Sequence, residues 1–494
     1  MSDSGIPLLT AAVALPAAAA FAIRVTQADV RRTAVAGAAG ATLCAVEVFR
    51  QVHAGAGTRV AEHWPFSLYA ADALNATFLL LYCLLTLGVL ILAPRRDMNR
   101  QVAAATLMVL AGTLSTYAAD NAIVLAASWA VSAMPFLAGP LAGSWRPRAG
   151  LAVSCVALAS AIGIIAKEGN SVSLATLQGH NYGGPAAFAL LMVAIICRKG
   201  IFPAHAWIED AAEDGHPLLV SLFINGHLGA FLLARVVIPE FPSSAEGTFP
   251  ILSDLALVTA LYAAVRAIGE SSARRILALL VLSQSACILA GLESGTREGI
   301  AGALVHCIVV AVATGGLFSV LRLMEVRFGR TFRTDEYLGL AQLSPRLAVV
   351  FGVCGLALVG LPGTLGFASE DLLIHGTLES HPQIGLLLPI ATAMNAVSLF
   401  RLFSRIFLGR RRNDISGIPD AIPRERWVLT AILVFVVAAG LAPGPIVTLR
   451  TRTVQEMSQA AARETKRTEG KDSIDDGLKW HTERFHHERI LDRR

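Results

Sequence analysis

The sequence predicts an all-α integral membrane protein with about 14 transmembrane helices, most of them in two inverted five-helix repeats. Three observations lead there. The 494 residues are 54% hydrophobic and only 16% charged, with a mean hydropathy of +0.59, which is too apolar for a fold whose solvent is water. Apolar stretches of roughly 18–25 residues recur along the chain, each long enough to cross a bilayer as a helix. The connections between them alternate between arginine-rich and arginine-poor, as in a chain threaded back and forth with its basic loops on one side.

The first run, 6–24, follows Asp3 and no basic residue; that is a poor signal-peptide leader, so a retained membrane helix is expected. Runs at 33–50 and 71–93 complete an N-terminal segment over 1–100. The runs at 102–118, 121–143, 150–167, 184–201 and 217–238 make a first repeat, 101–238. Those at 251–268, 274–292, 298–321, 346–378 and 384–408 make a second, 251–408. A last span at 427–447, within 409–447, and a polar tail over 448–494 finish the chain. In each repeat the fourth run is interrupted: Gly200 and Pro203 break the seventh helix, and Pro362, Gly363 and Gly366 break the twelfth. A break at that depth needs protein or water to satisfy the freed backbone groups, and breaks at matching positions of two repeats mark a transport architecture.

The odd-numbered connections carry Arg24, Arg31 and Arg32; Arg95, Arg96 and Arg100; Arg146 and Arg148; Arg266, Arg274 and Arg275; Arg322, Arg327, Arg330 and Arg333; and Arg405, Arg410, Arg411 and Arg412. The exception is the acidic stretch from Glu209 to Asp214 after the seventh run. This bias predicts cytoplasmic arginine-rich loops and both termini on the far side; the expected location is a bacterial inner (plasma) membrane.

The net charge of +5 is scattered in these short clusters, which argues against a nucleic-acid partner. All seven cysteines (Cys44, Cys83, Cys155, Cys197, Cys287, Cys307 and Cys354) fall in apolar runs without a C-x-x-C pair, so neither a disulfide framework nor a thiolate metal site is expected. No haem, iron–sulfur or dinucleotide signature is present, so no cofactor and no redox site of the chain's own is expected. His63, His486 and His487 read as solvated, and a metal at the tail pair lacks further ligands.

Ionisable residues inside spans are costly and point to function. Arg198 and Lys199 end the seventh run at its break; Asn225 and His227 lie in the eighth and His306 in the eleventh. Glu370 and Asp371 follow the break in the twelfth, with His375 about a turn and a half beyond Glu370 as its expected partner. Blander readings stand beside these. Glu370 could cap the second half of a broken helix, Arg198 and Lys199 could snorkel as anchors, and either histidine could be a core residue bonded to a carbonyl. His205 and His216 border the path or shape a loop, and Glu47, Asp72, Asp120 and Asp254 read as interfacial.

Four motifs in order give the chain a family resemblance over roughly 100–410. RKGIFPAHAWIEDA (198–211) resembles the seventh-helix signature of the antiporter-like membrane subunits of respiratory complex I, Mrp cation/proton antiporters and membrane-bound hydrogenases, a lysine followed by FPxHxWLxDA. ARRILALLVLSQ (273–284) is similar to that family's KRxLAYSTxSQ run, the spacing from His306 to Phe318 matches its next helix, and GLPGTLGFASEDLLI (360–374) resembles its twelfth-helix signature.

The resemblance implies a mid-membrane row of ionisable residues that relays protons. Glu370 falls on the twelfth-helix acid or lysine and Arg198 on the seventh-helix lysine, with Lys199 one place along, about 100° round the helix. Arginine keeps its proton whereas a desolvated lysine can exchange one, so Lys199 is the relay candidate and Arg198 a fixed counter-charge. The chain departs from the family at Ala130, which follows Trp129 where a glutamate is usual, and at Val310 and Thr314, where a second histidine and a lysine are usual. A branch lacking that glutamate serves as the membrane partner of inorganic-carbon uptake complexes, beside a large zinc-containing, carbonic-anhydrase-like protein.

The expected function is therefore an antiporter-like subunit that couples movement of protons, or Na+, through Lys199, His227, His306 and Glu370 to an attached partner. That partner is complex-I-like or the zinc protein, and the chain is at most a membrane subunit of an NADH:quinone oxidoreductase-like complex. A self-contained ion-coupled solute transporter and a non-conducting scaffold are the competing expectations.

Overall fold

A computed structural model describes residues 7–54, 59–62, 68–138, 144–177, 180–382, 385–410 and 419–457. His63 and the tail beyond 457, with His486 and His487, lie outside the described residues. The first three helices are α1 (Leu8–Val25), α2 (Val30–Ala54) and α3 (Ala73–Leu92). Then come α4 (Arg100–Ala118), α5 (Ala122–Leu137), α6 (Trp145–Glu168), α7 (Gly184–Lys199), α8 (Ala206–Asp214), α9 (Pro217–Asn225) and α10 (Leu228–Leu232). They are followed by α11 (Pro242–Gly269), α12 (Ala273–Glu293), α13 (Arg297–Phe328), α14 (Pro345–Leu358), α15 (Leu365–Ser380) and α16 (Leu387–Phe407). α17 (Pro423–Leu441) and α18 (Gly444–Met457) follow. A two-residue antiparallel pair, Val60–Ala61 with Ala70–Ala71, is a small exception to the all-helical expectation.

Every apolar run carries helix, but among the described residues only ten helices are long and apolar enough to cross a membrane unaided, or eleven if the bent pair α17 and α18 counts as one span. The shortfall has a local cause: α7 stops at Gly200, α14 stops before the Pro362 turn, and α5 is a short apolar helix. Helix starts follow capping chemistry. Asp72 accepts from the Leu74 and Asn75 amides, each at 3.1 Å, while Asn75 returns a bond to the Asp72 amide at 2.8 Å.

α4, α12 and α13 are apolar all round, with nearly every side chain buried, and form the centre. α1, α6, α11 and α16 each leave one side open, where Phe21, Val156, Ile251 and Phe400 are exposed as on a lipid-facing surface. Polar contacts sort the helix ends onto two faces. On one, arginines of the basic connections reach other odd-numbered connections: Arg100 to the Ile23 carbonyl at 2.7 Å, Arg322 to Asp97 at 2.7 Å, Arg274 to Glu325 at 2.7 Å and Arg327 to Glu425 at 2.5 Å. The acidic exception belongs to the same face, because Glu209 pairs with Arg266 at 2.8 Å, Asp210 with Arg146 at 3.3 Å and Glu213 with Arg275 at 3.7 Å. On the other face Arg59 pairs with Asp120, Arg235 with Asp72, and Asp254 with His381 at 3.5 Å.

Three features correct the sequence expectation. Gly366 lies in the first turn of α15, not in the break, where a side chain would overlap the Ala357 carbonyl. The eighth run is itself interrupted at Gly226 and His227 and continues through a π-helical turn, Leu233–Val237. The polar tail does not begin at 448, since α18 runs to Met457 and is bent by 75° from α17.

Candidate functional site

α7 ends because Gly200 takes a left-handed conformation, φ +69, which halts the helix with Lys199 as its last residue. The turn that follows holds the cis Phe202–Pro203 peptide before α8. Lys199 is 5% exposed, so it is not a snorkelling anchor. Its Nζ donates to Ser285 Oγ on α12 at 3.0 Å and lies 3.2 Å from His227 Nδ1. The stem passes over Gly229, where a Cβ would collide with Lys199 Cγ.

Arg198, next in the chain but about 100° away round the helix, enters different surroundings. Its guanidinium lies 4.1 Å from the Phe223 ring centre and 4.7 Å from that of Trp129, and donates to Ser132 Oγ at 2.8 Å and the Trp129 carbonyl at 3.4 Å. No carboxylate pairs with it among the described residues; two aromatic faces hold the cation instead.

His227 sits in the gap between α9 and α10 with φ +46 and is almost wholly buried. Two phenols bond carbonyls beside this gap: Tyr82 donates to the Leu222 carbonyl at 3.1 Å and Tyr117 to that of Gly226. Its Nε2 has no hydrogen-bond partner among the described residues.

On α13 His306 is fully buried, with Nε2 2.7 Å from Gln284 Oε1 and Nδ1 2.9 Å from Ser369 Oγ. The Gln284 amide nitrogen donates to the Leu358 carbonyl at 3.0 Å, satisfying the end of α14 where the span breaks. Glu370, 7% exposed, folds back over Gly360 in that break, where φ is +64 and a Cβ would overlap the carboxylate. It accepts from Thr392 Oγ1 at 3.4 Å. Pro362 and Gly363 make the turn between α14 and α15.

Two predicted site residues are placed elsewhere. Asp371 and His375 are exposed and face each other one helical turn apart, 3.6 Å between Oδ1 and Nδ1; His375 is therefore not the partner of Glu370. Of the flanking histidines, His205 Nε2 is 3.0 Å from the Tyr262 hydroxyl and His216 is 3.4 Å from Asp97. Asp97 lies in the connection before α4. Burial alone would raise its carboxyl, but the two hydrogen bonds from Arg322, with His216 nearby, outweigh burial and hold it well below the usual carboxylate range. Among the described residues no three His, Cys, Asp or Glu side chains are grouped to hold a metal.

Sequence reasoning missed the residues that join the two breaks. Gln284 and Ser285 are neighbours on α12; Ser285 touches Lys199 and Gln284 touches His306, so both buried groups meet on one central helix. Thr314, at a position where the resemblance led to a lysine, donates to Asn225 Oδ1 at 2.8 Å and ties α13 to α9. Glu293, fully buried at the end of α12 with Oε2 unpartnered, was not singled out either. The arrangement juxtaposes a primary amine with an imidazole, and a second imidazole with an amide and a hydroxyl.

The profile of the NADH:quinone oxidoreductase/Mrp antiporter transmembrane family matches residues 149–395. NADH-quinone oxidoreductase subunit M of Mycobacterium tuberculosis is 27% identical over 289 residues, 57% of this chain and 52% of that one. NADH-quinone oxidoreductase subunit 13 of Thermus thermophilus is 30% identical over 276 residues, 55% of this chain and 58% of that one. The chain thus aligns with about half the length of the curated relatives it matches. Among solved structures, a chain of respiratory complex I from Thermus thermophilus aligns with a TM-score of 0.80 at 24% identity, covering 92% of this chain and 99% of that one. A chain of the Mrp complex from Dietzia sp. DQ12-45-1b gives 0.79 at 19% identity, covering 92% and 100%. These structural likenesses show a shared fold.

Proposed function

The chain belongs to the NADH:quinone oxidoreductase/Mrp antiporter transmembrane family, and from that premise we propose that it is the proton-translocating membrane subunit of a larger complex. It is an integral membrane protein of the antiporter-like kind, and its structural relatives are chains of multi-subunit assemblies. In the proposal, protons pass along a buried row from Lys199 and His227 through Ser285 and Gln284 to His306 and Glu370. The observation that carries it is the pairing of Ser285 with Lys199 and of Gln284 with His306 at adjacent positions of α12. Groups this deep in an apolar core interact strongly, so gaining a proton at one lowers the proton affinity of the next.

Fourteen crossings in two inverted repeats, with cytoplasmic arginine-rich loops, belong to the same proposal. They are supported by the segregation of ion pairs onto two faces. The partner is a redox assembly of complex I type or a large zinc-containing protein. Copurification from native membrane separates them, since iron–sulfur subunits point to the first and a zinc protein to the second.

A second reading, a non-conducting scaffold, draws on Arg198, whose cation is held by aromatic rings without a carboxylate. The two are separated by proton flux in liposomes containing the chain with its native partner. Glu370→Gln is expected to abolish partner-coupled flux; undiminished flux removes Glu370 from the path and favours the scaffold.

A further inference from the structure

Beyond the three interrupted spans lies a further bend, between α17 and α18. It turns α18 back so that Arg450, 1% exposed, lies against the first turn of α3. Its Nη1 is 3.3 Å from the Ala73 carbonyl and 3.4 Å from that of Leu74, and the guanidinium stands 5.9 Å from the Phe78 ring centre. Nε and Nη2 have no hydrogen-bond partner among the described residues. The acid whose charge reaches it, Asp72, is already paired with Arg235 and engaged in capping α3. A cation buried so incompletely satisfied is costly.

Its position relative to the buried row gives the cost a use. Arg450 lies at the face opposite the arginine-rich connections, with Asp72 and Arg235. From it an aromatic stack leads inward: Phe78 is 5.5 Å from Tyr117 between ring centres, and Tyr117 bonds the Gly226 carbonyl beside His227.

We propose that Arg450 is an electrostatic seal: α18 holds a fixed guanidinium across the far-face end of the Lys199–His227 site, so that a proton held there cannot leave on that side. Arginine suits the task because it does not give up its proton, and a fixed positive charge raises the barrier to cations in a narrow path. The seal rests on the proton path proposed above.

The test is passive proton leak under an imposed pH gradient, in liposomes containing the native complex with its partner idle. Arg450→Met keeps bulk and removes charge; it is expected to raise the leak on the order of tenfold, a barrier lower by about 1.4 kcal/mol. Arg450→Lys should stay tight, and adding Lys199→Met to Arg450→Met should close the leak again. Arg450→His supplies both charge states in one protein, expected to be tight at acid pH and leaky at alkaline pH. A tight Arg450→Met, an Arg450→His leak that ignores pH, or a leak that survives Lys199→Met overturns the seal. Glu370→Gln in the same liposomes tests the path separately, through partner-coupled flux, whatever the leak shows.

Discussion

Arg198 and Lys199 are consecutive residues that the sequence could place at a helix end but could not tell apart by surroundings. The 100° turn between them sends one between Trp129 and Phe223 and the other to His227 and Ser285. That difference makes separate predictions. Removing the ring that covers a buried cation should cost more than removing the cation, so Trp129→Ala is expected to lower unfolding stability by about 3–5 kcal/mol. Arg198→Met should be neutral or stabilising by about 1–4 kcal/mol. Thermal unfolding of the detergent-solubilised complex compares them, and equal losses would mean that the guanidinium itself holds the helices together. The buried acid at 370 was legible from its motif and the break before it. That His375 faces Asp371 and not Glu370 was not legible, because helical spacing alone does not say which face turns inward.

At the scale of elements, glycine and proline announced the breaks after α7 and α14, since both deny the helix its next turn. The break at Gly226 and His227 stayed hidden in an apolar run, although Asn225 and Gly226 form a turn-favouring pair. Its stability comes from Tyr82 and Tyr117, far away in sequence. α18 was hidden by composition, because Arg450 makes its segment look like solvated tail. Two glycines let the Lys199 and Glu370 side chains reach their places. Gly229→Ala should overpack against Lys199 at about 1–3 kcal/mol, and Gly360→Ala should displace Glu370 while also straining a left-handed backbone. Both are expected to reduce coupled proton flux far more than expression or melting temperature; flux at the wild-type level in either would show that the close approach has no part in conduction.

Across the whole molecule, the arginine alternation was plain in the sequence, whereas its acidic exception became intelligible only when Glu209, Asp210 and Glu213 were found paired with arginines of neighbouring connections. The same face ties the N-terminal segment to the rest of the chain: Asp97 bonds Arg322 and lies 3.4 Å from His216, and Arg322 and Arg274 share Glu325. Asp97→Ala leaves Arg322 without its bidentate partner and is expected to cost about 3–5 kcal/mol. The pH dependence has a definite sign. A carboxyl held below its unfolded value adds stability above the ordinary aspartate range, near pH 3.9, and loses it as pH falls through the lowered folded value. Melting temperature should therefore fall on acidification in the wild type, and the fall should be shallower in Asp97→Asn; identical acid limbs would remove Asp97 from the account.

The central claim is that the row meeting on α12 carries protons, and its most direct measurement is protons moved per partner turnover in liposomes, wild type against Lys199→Met. The account predicts that turnover becomes uncoupled from proton movement in the variant while the complex stays assembled. An unchanged ratio in an assembled complex would contradict it.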